Sequence, residues 1–112
     1  LFLNKARELG AALSVAFAPD RMPHSDIVLG DAEGTTPAGV SLAEASSLSL
    51  EFHTLARLSG ERRYDEGVSW VRRRLAAGVE RRDSALLPLR VSPSGMLPRG
   101  GVCGLGARGD SY

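Results

Sequence analysis

The stretch SLAEASSLSLEFHTLARLSG, residues 41–60, decides how this chain folds. Ser41 is a natural helix N-cap, and Glu44 follows three residues later, which gives the S-x-x-E pattern of a capping box. Apolar residues then recur at helical spacing, and Gly60 stands where a C-terminal cap belongs. The pattern predicts a helix over residues 41–58 whose buried stripe is Ala45, Leu48, Phe52 and Leu55.

Two further helices are predicted on either side of this stretch. Residues 1–17 carry an apolar stripe and end before Pro19, because a proline pushes the preceding residue out of the helical region; the stripe is Phe2, Ala6, Leu9, Leu13 and Phe17. After a short polar link at residues 61–63, a third stripe follows: Tyr64, Val68, Val71, Leu75 and Val79. The second and third helices are therefore expected to form an antiparallel hairpin, and the fold class is all-α.

A long connection, residues 18–40, separates the first helix from the second. A loop beyond about 12–15 residues inside a compact domain is usually functional or disordered. It contains Pro23-His24-Ser25-Asp26-Ile27, in which a histidine and an acid stand close enough to bind a metal or to move protons. The alternative is that Ser25 and Asp26 bond the backbone of a turn, and this reading is favoured.

The pattern changes after residue 85. Residues 86–91 form a short extended run, residues 92–95 (Ser-Pro-Ser-Gly) have the composition of a type I turn, and Met96 and Leu97 are expected to begin a return strand. A small β-hairpin near residues 86–97 is therefore predicted. Five glycines between residues 100 and 109 suit either a close approach of the backbone to a ligand or a flexible linker.

Composition excludes some classes of function. The chain is 43% hydrophobic and 24% charged with a formal net charge of +1, so no strong field draws it to nucleic acid or to a membrane. The basic clusters at residues 72–74 and 81–82 are best read as solvated helix faces, because only one aromatic residue is near them. A single cysteine, Cys103, makes no internal disulfide and no zinc site.

Four charged residues are candidates for a site. Glu44 either caps its helix or points its carboxylate into a cleft at the helix start, and Glu51 lies on the same face two turns later. Arg108 and Asp110 form either a solvated surface pair or a pair that binds a sugar or a phosphate. The residues alone predict a helical piece with a polar, glycine-rich cleft edge.

Two long motifs carry a resemblance to a known family. Residues 41–52 (SLAEASSLSLEF) and residues 106–112 (GARGDSY) resemble glycoside hydrolase family 47, the class I α-1,2-mannosidases that trim N-glycans. The likeness extends over nearly the whole chain and includes residues 23–27. The GARGDSY form is more similar to the endoplasmic-reticulum and fungal branch than to the Golgi branch. Arg90 and Val91 stand where the family more often has an aromatic and an aliphatic residue.

The resemblance implies a fold, a reaction and a site. The fold would be an (α/α)₇ barrel, a ring of helical hairpins, and residues 1–112 would be part of its single catalytic domain, incomplete at both ends. The reaction would be hydrolysis of terminal α-1,2-linked mannose with inversion, from high-mannose N-glycans. Asp110 matches one of three catalytic acids, while Arg108 and Glu44 match residues that contact the sugar. The family also binds Ca²⁺, whose threonine ligand would lie downstream, so no residue here is expected to be a metal ligand.

The resemblance also implies a cellular compartment, and two alternative functions remain open beside the hydrolysis of mannose. The parent protein would work in the lumen of the endoplasmic reticulum or Golgi, secreted or held by a type II membrane anchor if one is present in the missing N-terminal part. One rival is a degradation-associated homologue that binds mannose glycans with little hydrolysis. The other is a non-catalytic helical-repeat scaffold, which predicts an internal sequence repeat that is not seen. The isolated 112 residues are expected to be inactive and poorly folded.

Overall fold

The computed structural model describes residues 1–17, 19–28, 34, 35 and 39–104. Within these residues the chain forms three α-helices, one short 3₁₀ turn and two small antiparallel strand pairs. The helices are α1 (Phe2–Leu13), α2 (Leu42–Ser59) and α3 (Arg63–Glu80), and the 3₁₀ turn is Ser14–Ala16. The strands are β1 (Asp26–Ile27), β2 (Gly34–Thr35), β3 (Val40–Ser41) and β4 (Arg90–Val91). The predominantly helical architecture confirms the predicted fold class.

Both ends of α2 are fixed by the predicted capping residues. The Ser41 hydroxyl accepts a hydrogen bond from the Glu44 backbone N–H at 3.2 Å. Gly60 adopts φ +75°, and its N–H donates to the Ala56 carbonyl. A left-handed conformation of this kind is easiest for glycine, so the sequence ends the helix at this residue.

The helical hairpin of α2 and α3 encloses one part of the core. Phe52, Tyr64 and Val68 are buried between the helices, and Phe17 packs its ring edge against Phe52 with the centroids 5.1 Å apart. A second buried cluster lies at the end of the hairpin where α2 begins, and it joins both helices to the loops: Met22, Val40, Leu42, Ala45, Val71, Leu75 and Val91. The hairpin and most of its predicted stripes are confirmed.

The first helix differs from its prediction. It ends at Leu13, and its apolar stripe is largely exposed: the exposed fraction is 87% for Phe2 and 55% for Leu9. Its buried residue is Gly10, where an added Cβ would collide with Leu55 and lie 3.2 Å from the Tyr64 ring. The helix approaches the hairpin through this glycine because a residue without a side chain permits the closest contact. Of the predicted stripe, only its last members, Leu13 and Phe17, pack against the core.

The predicted β-hairpin has a different strand partner. The turn at residues 92–95 forms, since the Gly95 N–H donates to the Ser92 carbonyl at 2.8 Å. The Ser92 N–H also donates to the Met96 carbonyl, but β4 pairs with β3, with Val40 opposite Val91. Residues 96–97 form no return strand. Pairing with β3 buries Val40 and Val91 in one cluster with Met22, which a local hairpin at the surface would not do.

The long connection is anchored at several points. Met22 is fully buried, and its N–H donates to the Pro93 carbonyl at 2.7 Å. The His24 N–H donates to the Ala16 carbonyl at 2.9 Å, and β1 pairs with β2 further along. These contacts fix residues 22–26 beside the start of α2. No helix in the described part of the chain is long and apolar enough to span a bilayer.

Candidate functional site

A polar cleft of about 490 Å³ opens at the N-terminal end of α2. Three parts of the chain form it: residues 23–26, residues 39–48, and β4 through Arg90. Its polar and charged lining residues are His24, Ser25, Asp26, Ser41, Glu44, Ser47 and Arg90. The apolar part of the wall consists of Pro23, Val40, Ala45 and Leu48. A mixed polar and apolar lining of this size suits a small hydrophilic ligand such as a sugar ring.

The helix cap places Glu44 in this cleft. The cap bond uses the backbone N–H of Glu44, and the residue lines the cavity. Its neighbours Ala43 and Ala45 are buried, which fixes the backbone on which the exposed Glu44 side chain stands. The first turn of a helix favours a negative charge. The position of Glu44 in the lining agrees with the second of the two roles considered for it.

The loop segment from Pro23 to Asp26 forms the facing wall. Pro23 is buried, His24 is half-buried, and Asp26 begins β1. The turn interpretation of this segment missed that His24 and Asp26 share a cavity with Glu44. The sequence signal was the unusual length of the loop, which indicates function in a compact domain.

Arg90 is a lining residue that the sequence did not single out as functional. It stands opposite Ser41 in the β3–β4 pair, and its Nη1 donates to the Gly39 carbonyl at 2.7 Å. The bond holds the guanidinium over the entrance to α2. Arg90 and Glu44 therefore bring opposite charges to the lining of one cleft. Only the pairing of β4 with β3, a contact between distant segments, reveals this position.

The other predicted site residues are not among the described residues that line this cleft. Arg108 and Asp110 fall in residues 105–112, outside the described residues. The chain just before them is attached to the cleft: the Leu89 N–H donates to the Val102 carbonyl, and the Leu89 carbonyl accepts from the Leu42 N–H. Glu51 is exposed and lines a different groove, between α1 and α2.

Three residues of the cleft lining, His24, Asp26 and Glu44, are of types that can ligate a metal ion. Across the described ranges, no group of three His, Cys, Asp or Glu side chains is placed to hold a metal ion. His24, Asp26 and Glu44 line one cavity without forming such a group.

Comparison with known proteins gives the family. A family model described as Glycosyl hydrolase family 47 matches residues 1–112. The chain is 37% identical over 117 residues to the human endoplasmic reticulum mannosyl-oligosaccharide 1,2-alpha-mannosidase, covering 100% of this chain and 17% of that protein. It is 32% identical over 116 residues to an Arabidopsis thaliana mannosyl-oligosaccharide 1,2-alpha-mannosidase, MNS3. That match covers 100% of this chain and 18% of the Arabidopsis protein. A Candida albicans protein of the same description is 31% identical over 117 residues. That match covers 100% of this chain and 20% of the Candida protein.

The chain belongs to glycosyl hydrolase family 47. It spans less than a fifth of the length of the human and Arabidopsis relatives. The resemblance drawn from residues 41–52 and 106–112 is confirmed at the level of the family, and the match extends over every residue between them.

Proposed function

We propose that this chain is part of an enzyme that hydrolyses terminal α-1,2-linked mannose from high-mannose N-glycans. The observation that carries the proposal is the family match over the whole chain, together with 37% identity to a mannosyl-oligosaccharide 1,2-alpha-mannosidase. The polar cleft at the start of α2 agrees with it, since its lining can pair with the hydroxyl groups of a sugar.

Glu44 is the substrate-binding residue that the cleft supports best. Its carboxylate lines the cavity and can accept hydrogen bonds from two neighbouring sugar hydroxyls. Arg108 is proposed to donate hydrogen bonds to the same sugar, and Asp110 is proposed to belong to the catalytic acids. Both roles rest on the match of these two residues to the family motif at residues 106–112.

The proposed reaction inverts the anomeric centre. A carboxylic acid protonates the glycosidic oxygen as its bond to C1 breaks, and a carboxylate removes a proton from the water that attacks C1 from the opposite face. The two carboxyl groups must stand about 6.5–9.5 Å apart to leave room for that water. Asp110 supplies one member of the acid set, and the other members belong to parts of the enzyme beyond these residues.

Calcium is part of this proposal as a cofactor of the family. Bound Ca²⁺ would supply charge at the sugar, with ligands from outside these 112 residues. Because the described residues form no group able to hold it, we assign no ligand and no catalytic step to the ion here.

We further propose that residues 1–112 are one section of a single (α/α)₇ catalytic domain. An apolar groove of about 530 Å³ between α1 and α2 supports this, because Phe2, Leu50 and Leu58 line it and are each more than two-thirds exposed. Side chains of this size are rarely left together at a surface in a finished domain. Neighbouring barrel helices would cover them.

The proposed compartment is the lumen of the endoplasmic reticulum, by likeness to relatives named for it. The Golgi lumen remains the alternative that the family resemblance also allows. The proposed substrate there is the N-glycan of a glycoprotein.

The test uses the full-length protein that carries this chain, incubated with the methyl α-glycoside of α-1,2-mannobiose and followed by proton NMR. With this substrate, free mannose comes only from the cleaved linkage. We expect release of mannose, with the β-anomer appearing first, because an inverting enzyme converts an α-linkage into a β-product. Release of α-mannose first would overturn the inverting mechanism. Binding of the glycan without any release would establish the rival glycan-binding function.

A further inference from the structure

A second cavity, separate from the Glu44 cleft, has four arginines among its ten lining residues. It has a volume of about 580 Å³ and lies between the C-terminal half of α3 and residues 95–99. Its charged lining residues are Arg74, Arg81, Arg82, Asp83 and Arg99. Four cations and one carboxylate therefore share one concave surface. None of these residues belongs to the proposed mannose site.

Two of the arginines are held in place by backbone carbonyls. Arg74 Nε donates to the Ser94 carbonyl at 2.9 Å, and Arg82 Nη1 donates to the Pro98 carbonyl at 2.6 Å. Arg82 Nη2 also lies 3.4 Å from the Leu86 carbonyl. These bonds fix both guanidinium groups in the cavity wall before any ligand arrives. A pre-organised donor loses little side-chain entropy when it binds.

The arginines of the lining outnumber its acidic groups, because Asp83 is the one carboxylate that it contains. Arg81 and Arg99 make no ion pair or hydrogen bond within the described residues. Arg82 Nε is buried without a hydrogen-bond partner, the one such side-chain nitrogen or oxygen in the described part. A buried donor without a partner costs free energy, and so does the mutual repulsion of several cations. An anion that enters the cavity reduces the repulsion between the cations.

We propose that this cavity binds a phosphate-like oxyanion. A tetrahedral oxyanion accepts several hydrogen bonds at once, and guanidinium forks match that geometry better than any other side chain. The same chemistry is carried by inorganic phosphate and by a phosphate monoester on a larger ligand. The inference is independent of the mannosidase proposal, because it rests on a different cavity.

Two neighbouring arginines of α3 lie outside the cavity and serve as a comparison for those that line it. Arg72 and Arg73 stand on the same helix, are exposed, and line none of the cavities described above. They are the solvated face that the sequence suggests. Arg74 and Arg82 differ from them because they are half-buried beside residues 94–98, whose carbonyls accept their hydrogen bonds. Arg81 is exposed like Arg72 and Arg73, but it lines the cavity.

The experiment measures phosphate binding to the full-length protein by isothermal titration calorimetry at constant ionic strength. The test variant is Arg81→Gln/Arg99→Gln, whose side chains make no hydrogen bond or ion pair within the described residues. The matched control is Arg72→Gln/Arg73→Gln, which removes the same two charges from the exposed face. Far-UV circular dichroism and a cooperative melt establish that both variants are folded.

We expect the test variant to raise the Kd for phosphate by about 10-fold or more, since each lost charged hydrogen bond is worth a factor of this size. The control should stay within about 2-fold of wild type. A parallel titration with glycerol 2-phosphate separates the two sources of the oxyanion. Tighter binding of the monoester supports a phosphorylated ligand, and equal binding supports the free ion.

Two results would overturn the proposal. The first is that neither ion gives a heat of binding to the wild-type protein at about 10 mM. This concentration is far above the Kd expected of a specific phosphate site. The second is an equal loss of binding in the test and control variants, because this would mean that the overall charge and not the cavity holds the ion.

Discussion

The Tyr64 hydroxyl donates a hydrogen bond to the Arg7 carbonyl at 3.0 Å, and this bond joins α3 to α1. Tyr64 is only 1% exposed, and Arg63 Nη2 donates to the same hydroxyl at 2.9 Å. The Arg63 guanidinium also lies 4.8 Å from the Tyr64 ring centroid. Since Gly10 packs on this ring, Tyr64 sets the position at which the first helix meets the hairpin.

Replacing Tyr64 with Phe should loosen α1 while leaving the hairpin intact. The change keeps the ring but removes the bond to Arg7, so local opening of residues 2–13 should become easier by about 1 kcal/mol. Hydrogen exchange of the full-length protein, followed by mass spectrometry, measures this as exchange about 5-fold faster in α1. Arg63→Gln is the control, because it leaves the bond to Arg7. Unchanged exchange in residues 2–13 would show that the bond does not hold the helix.

A second prediction concerns Asp65, which links α3 to α2. Asp65 Oδ1 lies 2.9 Å from His53 Nδ1, and the Ser69 hydroxyl donates to Asp65 Oδ2 at 3.0 Å. The hydrogen bond from His53 is the main cause, and that from Ser69 the second, of a lowered pKa for the Asp65 carboxyl. A lowered pKa in the folded state stabilises the protein at any pH above the unfolded value, about 3.9 for aspartate. This stabilisation is lost as pH falls through the lowered value.

Asp65→Asn should therefore lower the melting temperature at neutral pH, and the difference from wild type should shrink below about pH 3.9. The effect is small, below about 1 kcal/mol, because the Asp65 side chain is 38% exposed and solvent screens its charge. Scanning calorimetry from pH 7 down to pH 3 measures the difference. Ser69→Ala should produce a smaller change of the same kind. A difference that stays constant with pH would exclude ionisation of Asp65 as its cause.

A third prediction separates Glu44 from the other acid on its helix. Glu44→Gln keeps the size of the side chain and the Ser41 cap but removes the charge in the cleft. In the full-length enzyme it should lower kcat/KM for α-1,2-mannobiose about 10- to 100-fold, since hydrogen bonds to a charged group are worth about 1.5–3 kcal/mol. Glu51→Gln, on the exposed groove, should leave kcat/KM unchanged. Equal effects of the two substitutions would remove Glu44 from the substrate site.

A fourth prediction addresses Asp110, which is proposed as a member of the catalytic acids. Asp110→Asn should lower kcat about 10²- to 10⁴-fold, the range expected when a general acid or base is lost. The circular dichroism spectrum and melting temperature should not change. Mannose release from α-1,2-mannobiose at near-normal kcat would remove Asp110 from the catalytic set.

A fifth prediction concerns residues 1–112 as an isolated chain. The exposed apolar groove between α1 and α2 and the absence of the other proposed acids lead us to expect a poorly folded and inactive protein. Circular dichroism and a mannobiose assay check this directly. A cooperative melt would show that barrel neighbours are not needed, and release of mannose would show that the other acids are not needed either.

Much of the hairpin could be predicted because its signals are local. Ser41 and Gly60 act on hydrogen bonds within a few residues, so their positions alone define both ends of α2. The stripes of α2 and α3 repeat at helical spacing and bury the faces that the spacing indicates. The family resemblance rests on the same residues and holds over the whole chain.

The α1 stripe shows where this reasoning fails. Periodicity identifies an apolar face but not the surface that will cover it, and Phe2 and Leu9 find no cover among the described residues. The buried contact between α1 and the hairpin is made at Gly10, although glycine has a low helix propensity. Arg90 was not predicted as a cleft residue for a related reason. Its place beside Glu44 depends on pairing with a strand that lies 50 residues earlier in the chain.

The sequence by itself determined the helical hairpin, its caps and the family, because each depends on short-range hydrogen bonding or on residue identity. Only the tertiary structure decided that Pro23–Asp26 and Arg90 meet at the capped start of α2, and that Arg74, Arg81, Arg82 and Arg99 share a second cavity. Those groupings arise from contacts between distant segments, chiefly the β3–β4 pair and the burial of Met22. Such contacts are selected by the free energy of packing the whole core, which no local pattern encodes.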